Sequence, residues 1–420
     1  MKTVKSIITF ILCICVCNVA YAKRINADIA YQKAMQYNKN YVQSRSVNDA
    51  ELVYNTDNYY VFNYTNGGFV IVSGSDKTDE ILGYSKDGVF DVNNMPEGIS
   101  NILAGYNEEI DYAESNNITP VRSRTTDEYK EPIEPMIKTL WGQSDPYNRY
   151  CPIIDGKFTK VGCVALALAQ IMNYHKNDYQ PTGLYTSTVR DQTISILLDT
   201  CKVNYDNILI AYHGLETDDQ LNEVARLVKM CGNLTDTYYR TTVSGVILEN
   251  ILKSFSYLGF TDEVKEIHRD EYNSQTEWDD DIYNSLKNYG PVMYIAYKSI
   301  IYGHCFICDG YEDGYFHIVW GSYGSYDGFF KLNALKYKNT DYKYRHSAFI
   351  NINPLYPTRT DKSDETSSFN DKIIDNNDYI SIYDLVGKLI YNGSYNNMNN
   401  IKPGIYIIKS NKTTNKIYIK

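Results

Sequence analysis

The chain is 420 residues long, enough for two or three domains and a large core. Its 41 basic and 51 acidic residues give a net charge of −10 without any basic block, which argues against nucleic acid and anionic membrane as partners. Tyrosine is abundant at 42 residues, yet it is spread along the chain and marks no single site.

At the N-terminus, Lys2 and Lys5 precede an apolar run from Ile7 to Val19 that ends in Ala20-Tyr21-Ala22. A basic start, a short apolar stretch and a small-x-small end describe a secretory signal peptide over residues 1–22; the run is short for a membrane span. The protein is therefore expected to be secreted or held at the cell surface.

Residues 23–130 read as a first, α+β unit. In "NYYVFNYTNGGFVIVSGSD" two β-rich runs flank Asn66-Gly67-Gly68, a hairpin signal. "EGISNILAGYNEEIDYAES" predicts an amphipathic helix with Ile99, Ile102, Leu103, Tyr106 and Ile110 on one side. The polar stretch "NNITPVRSRTTDEYKEP", with Arg122 and Arg124, predicts an exposed and cleavable linker.

The second unit spans 131–355. Helices are expected at "VGCVALALAQIMNYH", "TDDQLNEVARLVKMCG" and "SGVILENILKSFSYLG", followed by β-rich runs in "GPVMYIAYK", "GHCFICDGY", "YFHIVWG" and "GFFKL". A helical first half and a β-rich second half make an α+β domain. A polar linker follows over 356–377. Residues 378–420 predict a small all-β module with turns at Gly387, Asn392-Gly393 and Pro403-Gly404.

Three of the nine cysteines lie in the leader, and the other six are too scattered for a disulfide framework. Cys305-x-x-Cys308 sits in a strand-like run, where i and i+3 point to opposite faces, so core packing fits better than a metal site. Cys163 differs. It opens a helix apolar on nearly every side, where the helix dipole and free N–H groups favour a thiolate. By position alone it is either a small core residue or a nucleophile.

A nucleophilic cysteine needs a base, usually histidine. His175 lies twelve residues down the same helix, about 18 Å away along its axis. His213 and His268 sit in polar surroundings, and His346 in a charged, tyrosine-rich loop. His304 and His317 remain, on neighbouring strands, and Gly303 before His304 permits close approach of substrate, which favours His304.

Together, "LWGQSDPYNRYCP", "GCVALALAQIMNYH", "GHCFICDGY" and "FHIVWGSYGSYDGFFKL" resemble the streptopain-like cysteine peptidases of the papain clan. "GGFVIVSGSDKTDEILGYSKDGVFD" resembles that family's propeptide, so the likeness spans about residues 25–350. It implies a papain-like catalytic domain with a helical half and a β-rich half, behind an inhibitory propeptide. Cys163 is then the nucleophile, His304 its base, Gln143 the oxyanion-hole donor and Trp320 a shield for the histidine. The substrates are proteins or peptides, and no metal or organic cofactor is called for.

One departure stands out. The family shows Asn-Trp-Gly-Trp where this chain has Val319-Trp320-Gly321-Ser322. Val319 cannot orient an imidazole through its side chain, so another residue, such as Asp309 or Asp327, takes that role or activity falls. The rival reading is a catalytically impaired homologue that binds peptides or inhibits related peptidases. Finally, "ISIYDLVGKLIY" and "GIYIIK" resemble the latter part of type IX secretion sorting domains, which implies outer-membrane secretion machinery as a partner.

Overall fold

A computed structural model of the chain describes residues 24–41, 49–116, 118, 129–177, 179, 181–299, 302–335 and 346–355. Toward the C-terminus it describes 379–383, 388–394, 401, 404–410 and 414–419. The leader, Arg122 and Arg124, the 356–377 linker and the expected turns at Gly387 and Pro403 lie outside the described residues. The chain divides into two compact units, 1–359 and 360–420.

The first unit begins with α1 (Ala27–Tyr41), which buries Ala30, Ala34 and Tyr37 at helical spacing. Strands β1 (Ala50–Asn55), β2 (Tyr59–Tyr64), β3 (Phe69–Ser73) and β4 (Ile81–Ser85) form a meander. The predicted hairpin lies between β2 and β3, where Gly67 and Gly68 take φ of 89° and 90°. A Cβ on Gly68 would fall 2.6 Å from the Ser85 carbonyl oxygen, so turn and packing both require glycine. Helix α2 (Glu97–Ser115) then buries all five residues expected of its apolar side.

A short hairpin, β5 (Ile153–Ile154) and β6 (Lys157–Phe158), precedes α3 (Cys163–His175), which buries Val164 through Met172 without interruption. The hairpin β7 (Leu184–Val189) and β8 (Gln192–Leu197) leads to α4 (Asp218–Leu234), α5 (Glu249–Tyr257), β9 (Lys265–His268) and α6 (Gln275–Tyr289). Thr217 and Gln220 form a reciprocal capping box at the start of α4, satisfying otherwise orphaned backbone donors. The β-rich half follows as β10 (Val292–Ser299), β11 (Tyr302–Glu312), β12 (Tyr315–Val319), β13 (Gly328–Phe330) and β14 (His346–Ile350).

One antiparallel sheet of ten strands runs through both segments, in the order β1-β2-β3-β4-β13-β12-β11-β10-β14-β9. The join is β4 to β13, with Tyr84 opposite Phe329 and Gly83 opposite Phe330. The Phe330 ring lies 2.5 Å from where a Cβ on Gly83 would be, so a side chain there would force the two strands apart.

Three cores line the sheet, one of them α1 packed on Phe62, Val70 and Val72 of β2 and β3. On one face, Cys305 and Ile307 pack with Leu166, Leu168 and Ile171 of α3 and with Val224 and Leu227 of α4. On the other, Phe306 and Cys308 pack with Trp320, with Trp278 of α6 and with Ile99, Ile102 and Tyr106 of α2. The alternation also places Cys305 and Cys308 in opposite cores, both as free thiols, as expected of core residues.

In the C-terminal unit, β15 (Tyr379–Tyr383), β16 (Leu389–Ser394), β17 (Gly404–Ser410) and β18 (Thr414–Ile419) form a sheet in the order β16-β15-β17-β18. Asn392-Gly393 is not the expected turn. Both residues lie inside β16, paired with Ser381 and Ile380, because cross-strand pairing outweighs the local turn preference.

Candidate active site

Cys163 is the first residue of α3, entered through Gly162 at φ 90°, a conformation that glycine adopts without strain. No side chain caps this end, so the free N–H groups and positive end of the helix dipole act on the thiol. Strand β11 supplies the remainder. The backbone N–H of Cys305 donates to the Cys163 sulfur at 3.4 Å, and the His304 imidazole, one residue earlier on the strand, acts electrostatically on the thiol.

Burial works against ionising this thiol. His304 and the Cys305 N–H outweigh it, and the Cys163 pKa lies below the usual thiol value. For His304 burial likewise opposes charge, but the neighbouring thiolate, then the Glu97 carboxylate and the Trp320 carbonyl, raise its pKa. The two shifts run in opposite directions from their ordinary values, which favours a thiolate–imidazolium pair.

His304 is buried and approaches Cys163 from the far side of the sheet. It pairs in register with Ala296, which belongs to the core on the α2 face, whereas the neighbouring Cys305 belongs to the α3 face. Its Nε2 lies 3.5 Å from the Trp320 carbonyl oxygen, and its Nδ1 lies 3.9 Å from a Glu97 carboxylate oxygen. A main-chain carbonyl therefore stands where an orienting side chain was sought.

Neither proposed carboxylate orients this imidazole. Asp309 is fully buried, with one oxygen 2.6 Å from Nδ1 of His317 and the other accepting from the Ile137 N–H at 2.7 Å. Asp327 accepts from the Trp320 N–H at 3.0 Å, and burial pushes its pKa up to about 7. Val319 packs into the α3-side core opposite Ile307. His317 is thus held by a buried partner, while His304 is the histidine beside the thiol.

Two further histidines have their pKa lowered. His175 is half-buried at the end of α3, and desolvation lowers its pKa to about 4. His346 is not in a loop: it begins β14, is buried, and lies 2.6 Å from the Tyr294 hydroxyl through Nδ1. Desolvation lowers its pKa to about 3.

Gln143 lies in the segment after buried Trp141, and its carbonyl accepts from Val161 N–H at 3.3 Å, two residues before Cys163. Trp320 is buried against Phe306 and Phe330, and its indole N–H donates to the Tyr326 carbonyl at 2.9 Å. Among the described residues, no group of three or more His, Cys, Asp or Glu side chains is placed to hold a metal ion.

Three participants were not read from the sequence: the Cys305 N–H, the Trp320 carbonyl and Glu97. The first two are main-chain groups with no residue signature. Glu97 heads α2, and the next residue carries the available clue. A Cβ on Gly98 would fall 2.7 Å from His304 Cδ2 and 2.8 Å from Trp320 Cε3, so α2 begins directly on the catalytic-type histidine.

A thiol at a buried helix start, a histidine on a facing sheet and a helix whose first turn lies on that histidine fit a papain-like thiol peptidase in its covered form. The comparisons give the family. Residues 141–330 match the Peptidase C10 family, and residues 20–110 match the Spi protease inhibitor family. Streptopain of Streptococcus pyogenes is 32% identical over 308 residues, covering 66% of this chain and 74% of that protein. A thiol protease/hemagglutinin, PrtT, of Porphyromonas gingivalis is 29% identical over 300 residues, covering 66% of this chain but 34% of its own. A cysteine-to-alanine mutant of a prointerpain A fragment from Prevotella intermedia superposes with a TM-score of 0.63 at 26% identity, covering 71% of this chain and 97% of that one. The chain belongs to the Peptidase C10, streptopain-like family. It is a cysteine peptidase in zymogen form, and the helix on His304 lies in its inhibitor-like propeptide.

Proposed function

We propose that Cys163 and His304 carry the hydrolysis, in an endopeptidase that is exported and activates itself. The observation that bears this reading is the sulfur of Cys163 at the start of α3, with His304 beside it and the Cys305 N–H donating to it. The thiolate attacks the peptide carbonyl, and the imidazolium of His304 gives its proton to the leaving amine, leaving a thioester on Cys163. His304 then takes a proton from water, whose oxygen attacks the thioester, and the acid product leaves with the thiolate restored. The Gln143 amide and the Cys163 N–H face the oxyanion: a neutral donor stabilises developing charge without quenching the thiolate. Trp320 meets the base through its carbonyl, and its ring, packed on Phe306, shields it from solvent.

The leader read at 1–22 directs export, residues 23–130 form the propeptide, 131–355 the peptidase, and 378–420 a sorting module for outer-membrane secretion or surface attachment. Cutting falls in the 121–135 linker, "VRSRTTDEYKEPIEP", where Pro132 and Pro135 favour extended chain that a cleft can bind. The test is incubation with reductant and N-terminal sequencing. Wild-type protein should lose about the first 125–135 residues, a cut within that linker. Cys163→Ala should stay full length until active enzyme is added. Unaided maturation of Cys163→Ala at the wild-type rate would rule out self-processing.

A further inference from the structure

The segment that carries Gln143 is gripped by one residue from the opposite half of the catalytic domain. Tyr323 donates its backbone N–H to the Trp141 carbonyl at 2.9 Å. Its ring lies against Gly142 so closely that a Cβ there would fall 2.2 Å from Cζ. Its hydroxyl accepts from the Ser144 N–H at 3.3 Å. Residues 141, 142 and 144 are therefore all in contact with one side chain and its own peptide, and Gln143 stands between them. On the other side, the Gln143 carbonyl is tied to Val161, at the entrance to α3.

Core packing does not explain this arrangement. Tyr323 is 49% exposed, so its ring gains only part of the burial a core aromatic obtains. It also sits at φ 57°, uncommon for a bulky residue and maintained only where surrounding contacts over-determine it. The loop that holds it, Trp320 to Asp327, carries the carbonyl that meets His304 and the carboxylate that fixes Trp320. One loop thus reaches both the base and the segment of the oxyanion donor.

We propose that Tyr323 is a positioning residue that acts through Gln143, holding residues 141–144 so that the amide meets the developing oxyanion. This rests on the oxyanion role given above to Gln143. It also supplies a reason for glycine at 142: any side chain there displaces the Tyr323 ring.

The test compares activated wild-type enzyme with Tyr323→Ala, Tyr323→Phe, Gln143→Ala and the Gln143→Ala/Tyr323→Ala double variant. The readouts are kcat on a peptide substrate and the rate of iodoacetamide alkylation. Alkylation needs the thiolate but develops no oxyanion, so it reports an intact Cys163–His304 pair independently of Gln143. Loss of an oxyanion donor costs about 100- to 1000-fold in kcat, and Tyr323→Ala should lose roughly 10- to 100-fold as a partial misplacement. Alkylation should be unchanged, and Tyr323→Phe, which keeps the ring on Gly142, should recover most of the loss. The double variant should match Gln143→Ala within about 3-fold, because a residue acting through Gln143 has nothing left to position.

If the two losses multiply, Tyr323 does not act through Gln143 and the proposal fails while the oxyanion reading stands. If Gln143→Ala leaves kcat unchanged, the oxyanion reading itself fails and the proposal with it. Should Tyr323→Ala not fold, Gly142→Ala addresses the same contact from the other partner. It should lower kcat with alkylation preserved, and an unaltered kcat there would equally overturn the proposal.

Discussion

Two of the cores on the ten-stranded sheet are built from different parts of the chain. The core under α3 draws its buried members from residues 137–352, all within the peptidase segment. The core on the opposite face mixes residues 59–110 of the propeptide with residues 267–350 of the peptidase. Cys163 and His304 follow the same division: Cys163 rises from the first face, and His304 belongs by register to the second. The helix that completes the shared core is also the one whose first turn rests on His304. Covering the site and completing the core are therefore one structural event, and removing the propeptide must undo both.

The most severe way to break this division is to remove either member of the pair. Cys163→Ala and His304→Ala should each reduce hydrolysis by about 10⁴-fold or more, the scale seen when a nucleophile or its base is lost. His317→Ala should keep substantial activity, since that imidazole is engaged by Asp309 instead. Loss of hydrolysis in His317→Ala with full rate in His304→Ala would reverse the assignment.

A second pair of variants tests the cores themselves. Ile102→Ala on α2 and Leu168→Ala on α3 each remove a buried side chain, costing about 2–5 kcal/mol. Thermal melting before and after activation separates them. Leu168→Ala should lower the Tm of both forms, whereas Ile102→Ala should lower that of the zymogen alone and shorten its activation lag. Equal destabilisation of the mature enzyme by Ile102→Ala would contradict the shared-core description.

Val319 offers a finer probe. Restoring the family's asparagine places an amide in the apolar core beside Ile307 and α3, where an unsatisfied polar group costs about 1–3 kcal/mol. Val319→Asn should lower the Tm with little change in kcat, because the Trp320 carbonyl already meets His304 Nε2. A rate gain of tenfold or more would mean that the carbonyl contact leaves the imidazole poorly oriented.

The smallest effect concerns charge. The Glu97 carboxylate raises the pKa of both Cys163 and His304, so Glu97→Gln should let both fall. With the thiol pKa lower, the rising limb of iodoacetamide labelling in the zymogen should move to lower pH. After activation the propeptide is gone, and the two profiles should coincide. A shift that persists in the mature enzyme would place its origin elsewhere.

Much of this was legible in the sequence because it depends on local periodicity and end signals. The apolar side of α2, the existence of α4, the helix opening at Cys163, the Gly67-Gly68 hairpin and strands β10 to β13 all follow from residue spacing. Helices α1 and α6 were not read, although Ala30, Ala34 and Tyr37 keep helical spacing and Ser274 accepts from the Glu277 N–H as an N-cap. Their many polar and tyrosine residues dilute the apolar signal.

The sequence by itself determined most of the elements around the site, the helix-start thiol and a choice between two histidines, because those properties reside in neighbouring residues. Tertiary structure alone decided that Asp309 belongs to His317, that a carbonyl meets His304 and that Tyr323 grips Gly142. It also decided that the propeptide extends the peptidase sheet through β4 and β13. Each of these joins residues far apart in the chain, and several run through main-chain groups common to every residue. Residue type carries no record of such contacts; only the folded backbone brings them together.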